Sequence, residues 1–261
     1  MNMSLAFKNH PGLVAYLTCG APDLGATKSA ALAAIGAGAE VLELGVPFSD
    51  PVADGPVIQR ASERALRNRV SLEDVLKVAA EIRRQSDVGM VVFTYFNPIL
   101  RMGLDRFASA AADAGVNGAL VTDLPVEEAG QYLERMRKSD LATVFLAAPT
   151  STDDRLKRIC AVSTGFVYAV SRTGVTGARK DLAEDARKLV ERLRRFTKLP
   201  IAVGFGISGP EHFRSVGRFA DAAVVGSALV QAMEENPGKE AQAVAELIAQ
   251  IVGGRSSAVS P

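Results

Sequence analysis

Three carboxylates, Glu43, Asp50 and Asp54, fall inside the stretch LELGVPFSDPVADGPVIQ (Leu42 to Gln59). Glu43 interrupts a short apolar run, and strand alternation puts it on one face with Val41 and Gly45 while Leu42 and Leu44 take the other. A carboxyl group removed from water has its pKa raised, so that it can both give and take a proton near neutral pH. Asp54 precedes Gly55 in a segment that Pro47, Pro51 and Pro56 stiffen. Two carboxylates at the end of one strand make an acid/base pair. The plainer alternatives are a Glu43 paired with an inward Arg or Lys, and an Asp54 that only shapes its turn.

Elements that could position such a pair recur along the chain. Short apolar segments at Leu13–Leu17, Val41–Gly45, Met90–Tyr95, Ala119–Thr122, Thr143–Ala147, Phe166–Val170, Ile201–Phe205 and Ala222–Val225 read as eight strands. Amphipathic stretches lie between them, at Leu24–Ile35, Leu72–Arg84, Leu104–Ala114, Glu127–Lys138, Asp153–Val162, Leu182–Phe196 and Pro210–Val216. Start signals fit three of these: Pro22-Asp23, Ser71 with Asp74, and Ser151-Thr152. The alternation predicts a parallel sheet, and eight units in 261 residues predict an α/β fold, a single (β/α)8 TIM barrel. A doubly wound open sheet is the main alternative, but Thr18-Cys19-Gly20-Ala21-Pro22 is not its glycine-rich turn. Residues 1–252 are expected to form one domain and residues 253–261 a flexible tail. In such a barrel Glu43 points inward near the C-terminal end of its strand, where barrel sites are built.

Three glycine-bearing segments follow late strands: SRTGVTGA (Ser171–Ala178), GFGISGPE (Gly204–Glu211) and VVGSALV (Val224–Val230). They predict phosphate-binding loops after strands six to eight, where backbone N–H groups and a helix N-terminus hold the anion. Ser227 can add a hydroxyl. No Lys or Arg lies within the last two segments, so dipoles would do most of the holding.

Composition narrows the class further. Hydrophobic residues are 48% and charged residues 23%, with a net charge of +1, so neither disorder nor a nucleic-acid surface is indicated. The cluster Arg192, Arg194 and Arg195 reads as a solvated helix face. Cys19 and Cys160 are isolated, which fits a reducing compartment and no cysteine-based zinc site. His212 is expected at the surface. Residues 1–11 lack the regions of a signal peptide and no apolar run is long enough for a bilayer, so a cytoplasmic protein is expected.

The motifs LELGVPFSDPVADGPVIQ, VTDLPVEE, APTSTDDR, YAVSRTGVTGAR, VGFGIS and VVGSALV occur in order from Tyr16 to Val230, and this series resembles the tryptophan synthase α chain family. The resemblance implies a lyase of tryptophan biosynthesis. Its reaction would be the reversible retro-aldol cleavage of indole-3-glycerol phosphate to indole and glyceraldehyde 3-phosphate. It implies Glu43 as catalytic acid/base and Asp54 as the carboxylate on the indole N–H. It implies Tyr16, Phe93, Leu120 and Phe205 as walls of an indole slot, each equally readable as barrel core. Tyr168 would lie near the glycerol phosphate and Thr176 in a lid, and Gly177, Gly206, Gly226 and Ser227 would cradle the phosphate.

The resemblance also implies a partner: a β chain that binds pyridoxal phosphate and receives the indole, in an α-β-β-α heterotetramer. Pro47, Asp50, Asn97, Pro98, Asp123 and Pro125 would lie in loops facing it, although each is also an ordinary turn residue. No metal and no cofactor bound by this chain is implied. Ala15, Ala21 and Arg101-Met102 depart from the family pattern, on the barrel floor and near the partner-facing loops. A stand-alone lyase that releases free indole is the alternative reading.

Overall fold

The computed structural model describes residues 7–170, 179–204 and 206–253. Eight strands follow in chain order: β1 (Gly12–Thr18), β2 (Val41–Gly45), β3 (Gly89–Thr94), β4 (Gly118–Val121), β5 (Ala142–Ala147), β6 (Val167–Val170), β7 (Ile201–Gly204) and β8 (Ala222–Val225). Every neighbouring pair is parallel, and β8 pairs with β1 to close a barrel. The expected strands agree with these to within a residue at each end, apart from Phe205, which lies outside the described residues.

Parallel strands covered on both faces should be apolar on both, and β1, β2, β4 and β8 are buried along their whole length. Alternation sorts the side chains into two cores. Leu13, Ala15, Leu17, Leu42 and Leu44 pack outward beneath the helices. Val14, Val41, Val91, Leu120, Val144 and Phe166 fill the barrel interior. Glu43 is fully buried among these apolar layers.

The helices are α1 (Leu24–Gly36), α2 (Pro56–Arg67), α3 (Leu72–Arg83), α4 (Phe96–Met102), α5 (Leu104–Asp113), α6 (Gly130–Lys138), α7 (Asp153–Val162), α8 (Arg179–Leu193), α9 (Pro210–Val216), α10 (Ser227–Glu235) and α11 (Glu240–Val252). The three start signals all form caps. Asp23 accepts from the Ala26 N–H at 2.8 Å, Ser71 and Asp74 make a capping box, and Thr152 accepts from the Arg155 N–H at 3.3 Å. Helix α6 begins at Gly130 rather than Glu127, because a turn closed by the Glu128 N–H on the Pro125 carbonyl (3.0 Å) comes first.

Pro56 does not stiffen a loop. It opens α2 as the first helical residue behind Gly55, where a missing N–H costs nothing. Asn97 and Pro98 likewise lie in the first turn of α4 rather than in a loop. The arginine cluster is more than a solvated face. Arg192 bonds the Asp153 carboxylate (2.7 Å) and the carbonyls of Pro149 and Ser151, and Arg194 pairs with Asp221. His212 is half-buried, and its Nδ1 has no partner among the described residues. Among the described residues no helix is long and apolar enough to cross a membrane.

Candidate active site

Register puts Tyr16 of β1 beside Glu43 of β2, and Thr18 beside Gly45 one layer nearer the strands' C-terminal ends. Glu43 has 0% of its surface exposed, and neither carboxylate oxygen has a hydrogen-bond partner among the described residues. Among the described residues no inward Arg or Lys pairs with it. Burial pushes its pKa up to about 8, so the protonated form predominates at neutral pH with the carboxylate within reach. An unpaired buried carboxyl is costly to a fold and is retained where it has work to do.

Asp54 is held by its own loop and by a residue from β3's end. Its N–H bonds the Pro51 carbonyl at 3.0 Å, and Gln59 on α2 donates to its carbonyl at 2.8 Å. The Tyr95 hydroxyl donates to Asp54 Oδ2 at 2.9 Å and accepts from the Ala53 N–H at 3.0 Å. Phe48 stacks on the Tyr95 ring with centroids 4.8 Å apart. Partial burial raises the Asp54 pKa, and the Tyr95 bond opposes that rise. Tyr95 is absent from the expected site residues, having counted only as the last position of an apolar stretch. Its place at the mouth end of β3 was the available signal.

Aromatic side chains lie near the carboxylates. Tyr16 meets Phe93 edge to face at 5.1 Å, and the charges of Asp54 and Glu43 both act on the Tyr16 and Tyr168 hydroxyls. Two glycines make room for those phenols. A Cβ on Gly45 would lie 2.4 Å from the Tyr16 hydroxyl oxygen, and one on Gly204 would lie 2.4 Å from that of Tyr168. Leu120 sits lower, fully buried in the interior core.

At the end expected to hold a phosphate, Gly206 is exposed with φ +41, and Gly226 is the N-cap of α10 with Ser227 as its first residue. Gly226 brings no side-chain cap, and its carbonyl takes the Leu229 and Val230 N–H groups at 2.9 and 3.1 Å, which leaves the Ser227 and Ala228 N–H groups as those that could meet an anion. Thr176, Gly177 and Phe205 lie outside the described residues.

The residues expected to meet a partner divide by environment. Asp50 and Asn97 are exposed, Pro98 and Pro125 half-buried, and Pro47 buried. Pro47 instead lines a cleft of about 510 Å³ with Phe48, Asn97, Pro98 and Arg101. The Asp123 carboxylate accepts the Phe96 N–H at 2.7 Å, holding the start of α4.

A family model described as tryptophan synthase alpha chain matches residues 3–259. The chain belongs to the tryptophan synthase alpha chain family. It is 52% identical over 229 residues to the tryptophan synthase alpha chain of Solibacter usitatus, covering 88% of this chain and 86% of that one. The alpha chain of Cupriavidus pinatubonensis is 48% identical over 256 residues, 97% of this chain and 96% of that one. Among solved structures, a tryptophan synthase complex from Pyrococcus furiosus superposes with a TM-score of 0.88 at 40% identity, covering 95% of this chain and 100% of that one. Mycobacterium tuberculosis tryptophan synthase gives 0.86 at 38% identity, over 94% and 92%. Membership makes the chain a lyase of the alpha-chain type, acting in the cleavage of indole-3-glycerol phosphate.

Proposed function

We propose that Glu43 and Asp54 carry the reversible cleavage of indole-3-glycerol phosphate to indole and glyceraldehyde 3-phosphate. The observation behind this reading is a fully buried Glu43 carboxyl, unpartnered among the described residues and with a pKa near 8, one strand-end away from an anchored Asp54. Breaking the bond at indole C3 first requires a proton on that carbon, which leaves positive charge on the ring. The Asp54 carboxylate at the ring N–H stabilises that charge. Glu43 then accepts the proton of the side-chain hydroxyl while the C–C electron pair flows into the ring and the aldehyde forms. Having delivered one proton and received another, it is ready for the next turnover. Because Glu43 has no exposed surface, the packing around it must shift for it to touch the substrate.

The indole would lie against Tyr16, Phe93, Leu120 and Phe205, with Tyr168 towards the glycerol phosphate. Gly177, Gly206, Gly226 and Ser227 would hold the phosphate, and Thr176 would close over it. A β chain carrying pyridoxal phosphate would dock at the barrel mouth in an α-β-β-α assembly, meeting Pro47, Asp50, Asn97, Pro98, Asp123 and Pro125. Two exposed apolar side chains support this face: Val52 at 86% and Leu100 at 53%, on the β2–α2 loop and on α4.

The test is indole release from indole-3-glycerol phosphate with and without a β chain. Weak turnover raised strongly by the partner is the expected result. Full turnover by the chain alone would overturn the two-component reading, and no turnover in either case would overturn the assignment of the site.

A further inference from the structure

Tyr16 counts in the proposed site only as an apolar wall, yet its hydroxyl is seated with care. Its register partner is Glu43, and its ring rises one layer towards the mouth, where Gly45 leaves the space for its tip. Any Cβ on Gly45 would stand 2.4 Å from the hydroxyl oxygen and 2.6 Å from the carbon bearing it. Thr18, the next inward residue of β1, donates its hydroxyl to the Tyr16 oxygen at 3.3 Å. That bond uses a lone pair of the phenol, and no described residue accepts its proton. Burial and the nearby Asp54 charge hold the phenol protonated, so besides accepting from Thr18 it has a proton to donate. A buried donor of this kind is retained at a cost unless something accepts from it.

We infer that the Tyr16 hydroxyl donates a hydrogen bond to the substrate oxygen on the carbon joined to indole C3, the atom that becomes the aldehyde oxygen. The inference rests on the reading of Glu43 as the base. Base and donor stand side by side on adjacent strands, so both converge on one oxygen. During cleavage that oxygen gives its proton to Glu43 and gains a second bond to carbon, while the C–C pair passes into the ring. Tyr16 keeps its proton throughout and stabilises the partial negative charge on the oxygen. In the reverse direction the same bond polarises the aldehyde carbonyl for attack by C3.

Tyr16→Phe tests this, since it keeps the ring against Phe93 and removes only the hydroxyl. Two quantities are measured on the full chain: kcat/KM for indole-3-glycerol phosphate, and the Kd of indole-3-propanol phosphate, which lacks the oxygen in question. The expected result is a fall in kcat/KM of about tenfold or more with the analogue's Kd changed less than about twofold, which also certifies an intact slot. A kcat/KM within about twofold of the unsubstituted chain overturns the inference, as does a parallel loss of analogue affinity. Glu43→Gln is assayed alongside. If that variant keeps near-normal turnover, the reading of the site has failed; if it is inactive while Tyr16→Phe is normal, only the role of Tyr16 has failed.

Discussion

The Tyr95 hydroxyl bridges Asp54 Oδ2 and the Ala53 N–H, at 2.9 and 3.0 Å, and so ties the β2–α2 loop to the end of β3. A carboxylate on a loop gains from this a fixed direction that the loop's own hydrogen bonds do not supply. The bond also favours the ionised form, against the partial burial that disfavours it.

Tyr95→Phe keeps the stack on Phe48 and deletes both hydroxyl bonds. With the bond that lowers it removed, the Asp54 pKa rises, so activity that needs the carboxylate is lost at a higher pH on the acid side. A hydrogen bond to a charged group contributes about 1.5–3 kcal/mol, which sets the expected loss in kcat/KM at roughly ten- to hundredfold. The pH profile of kcat/KM checks it, and an unmoved acid limb would show that the bond does not govern Asp54.

Glu43→Gln separates chemistry from stability. Turnover should fall by about 10²–10⁴-fold, the usual contribution of a positioned acid/base. Stability should move the other way, with a definite pH dependence. The folded pKa of about 8 lies above the ordinary 4.5, so the folded chain binds the extra proton. The wild-type chain is therefore not penalised below pH 4.5 and loses stability as pH rises towards 8, by up to about 1.4 kcal/mol per pH unit. The variant has no such loss. Urea unfolding at pH 5 and pH 8 measures the gap, which should widen at the higher pH.

Gly45→Ala should displace the Tyr16 ring, because the added carbon falls 2.4 Å from its hydroxyl. Overpacking of this kind costs about 1–3 kcal/mol. Combining it with Tyr16→Leu should recover part of that cost, giving a double variant less damaged than the two single effects summed. Thermal unfolding of the four chains supplies the cycle, and strict additivity would mean that the two residues do not meet.

These relationships differ in how far they could be read from sequence. Glu43 was legible because inward and outward residues alternate over only five positions of β2, and two leucines fix the outward face. The caps of α1, α3 and α7 were legible because each is made by residues three apart. Helix α2 was not, since Gly55-Pro56 reads equally as a stiff turn and as an N-cap followed by its first residue. Tyr95 and Asp54 stand 41 residues apart, and no local pattern joins them. The room that Gly45 and Gly204 make becomes visible only once register places each glycine two positions further along than the tyrosine of the preceding strand whose tip it admits.

Helix α4 shows the same limit and offers a test at the proposed partner face. It has seven residues, no side-chain cap of its own and a proline in its first turn, so little in the segment itself ensures that it forms. The Asp123 carboxylate supplies the missing acceptor from the end of β4, at 2.7 Å from the Phe96 N–H. Removing a capping acceptor costs about 1 kcal/mol, enough to fray a helix this short. Asp123→Ala should therefore weaken binding of the β chain by roughly fivefold, because Asn97, Pro98 and Leu100 lose their common frame. Asp123→Asn keeps an acceptor oxygen and should retain most of the affinity. Titration calorimetry of both variants with a β chain measures this, and equal losses would point to the charge of Asp123, rather than its hold on α4, as what the partner reads.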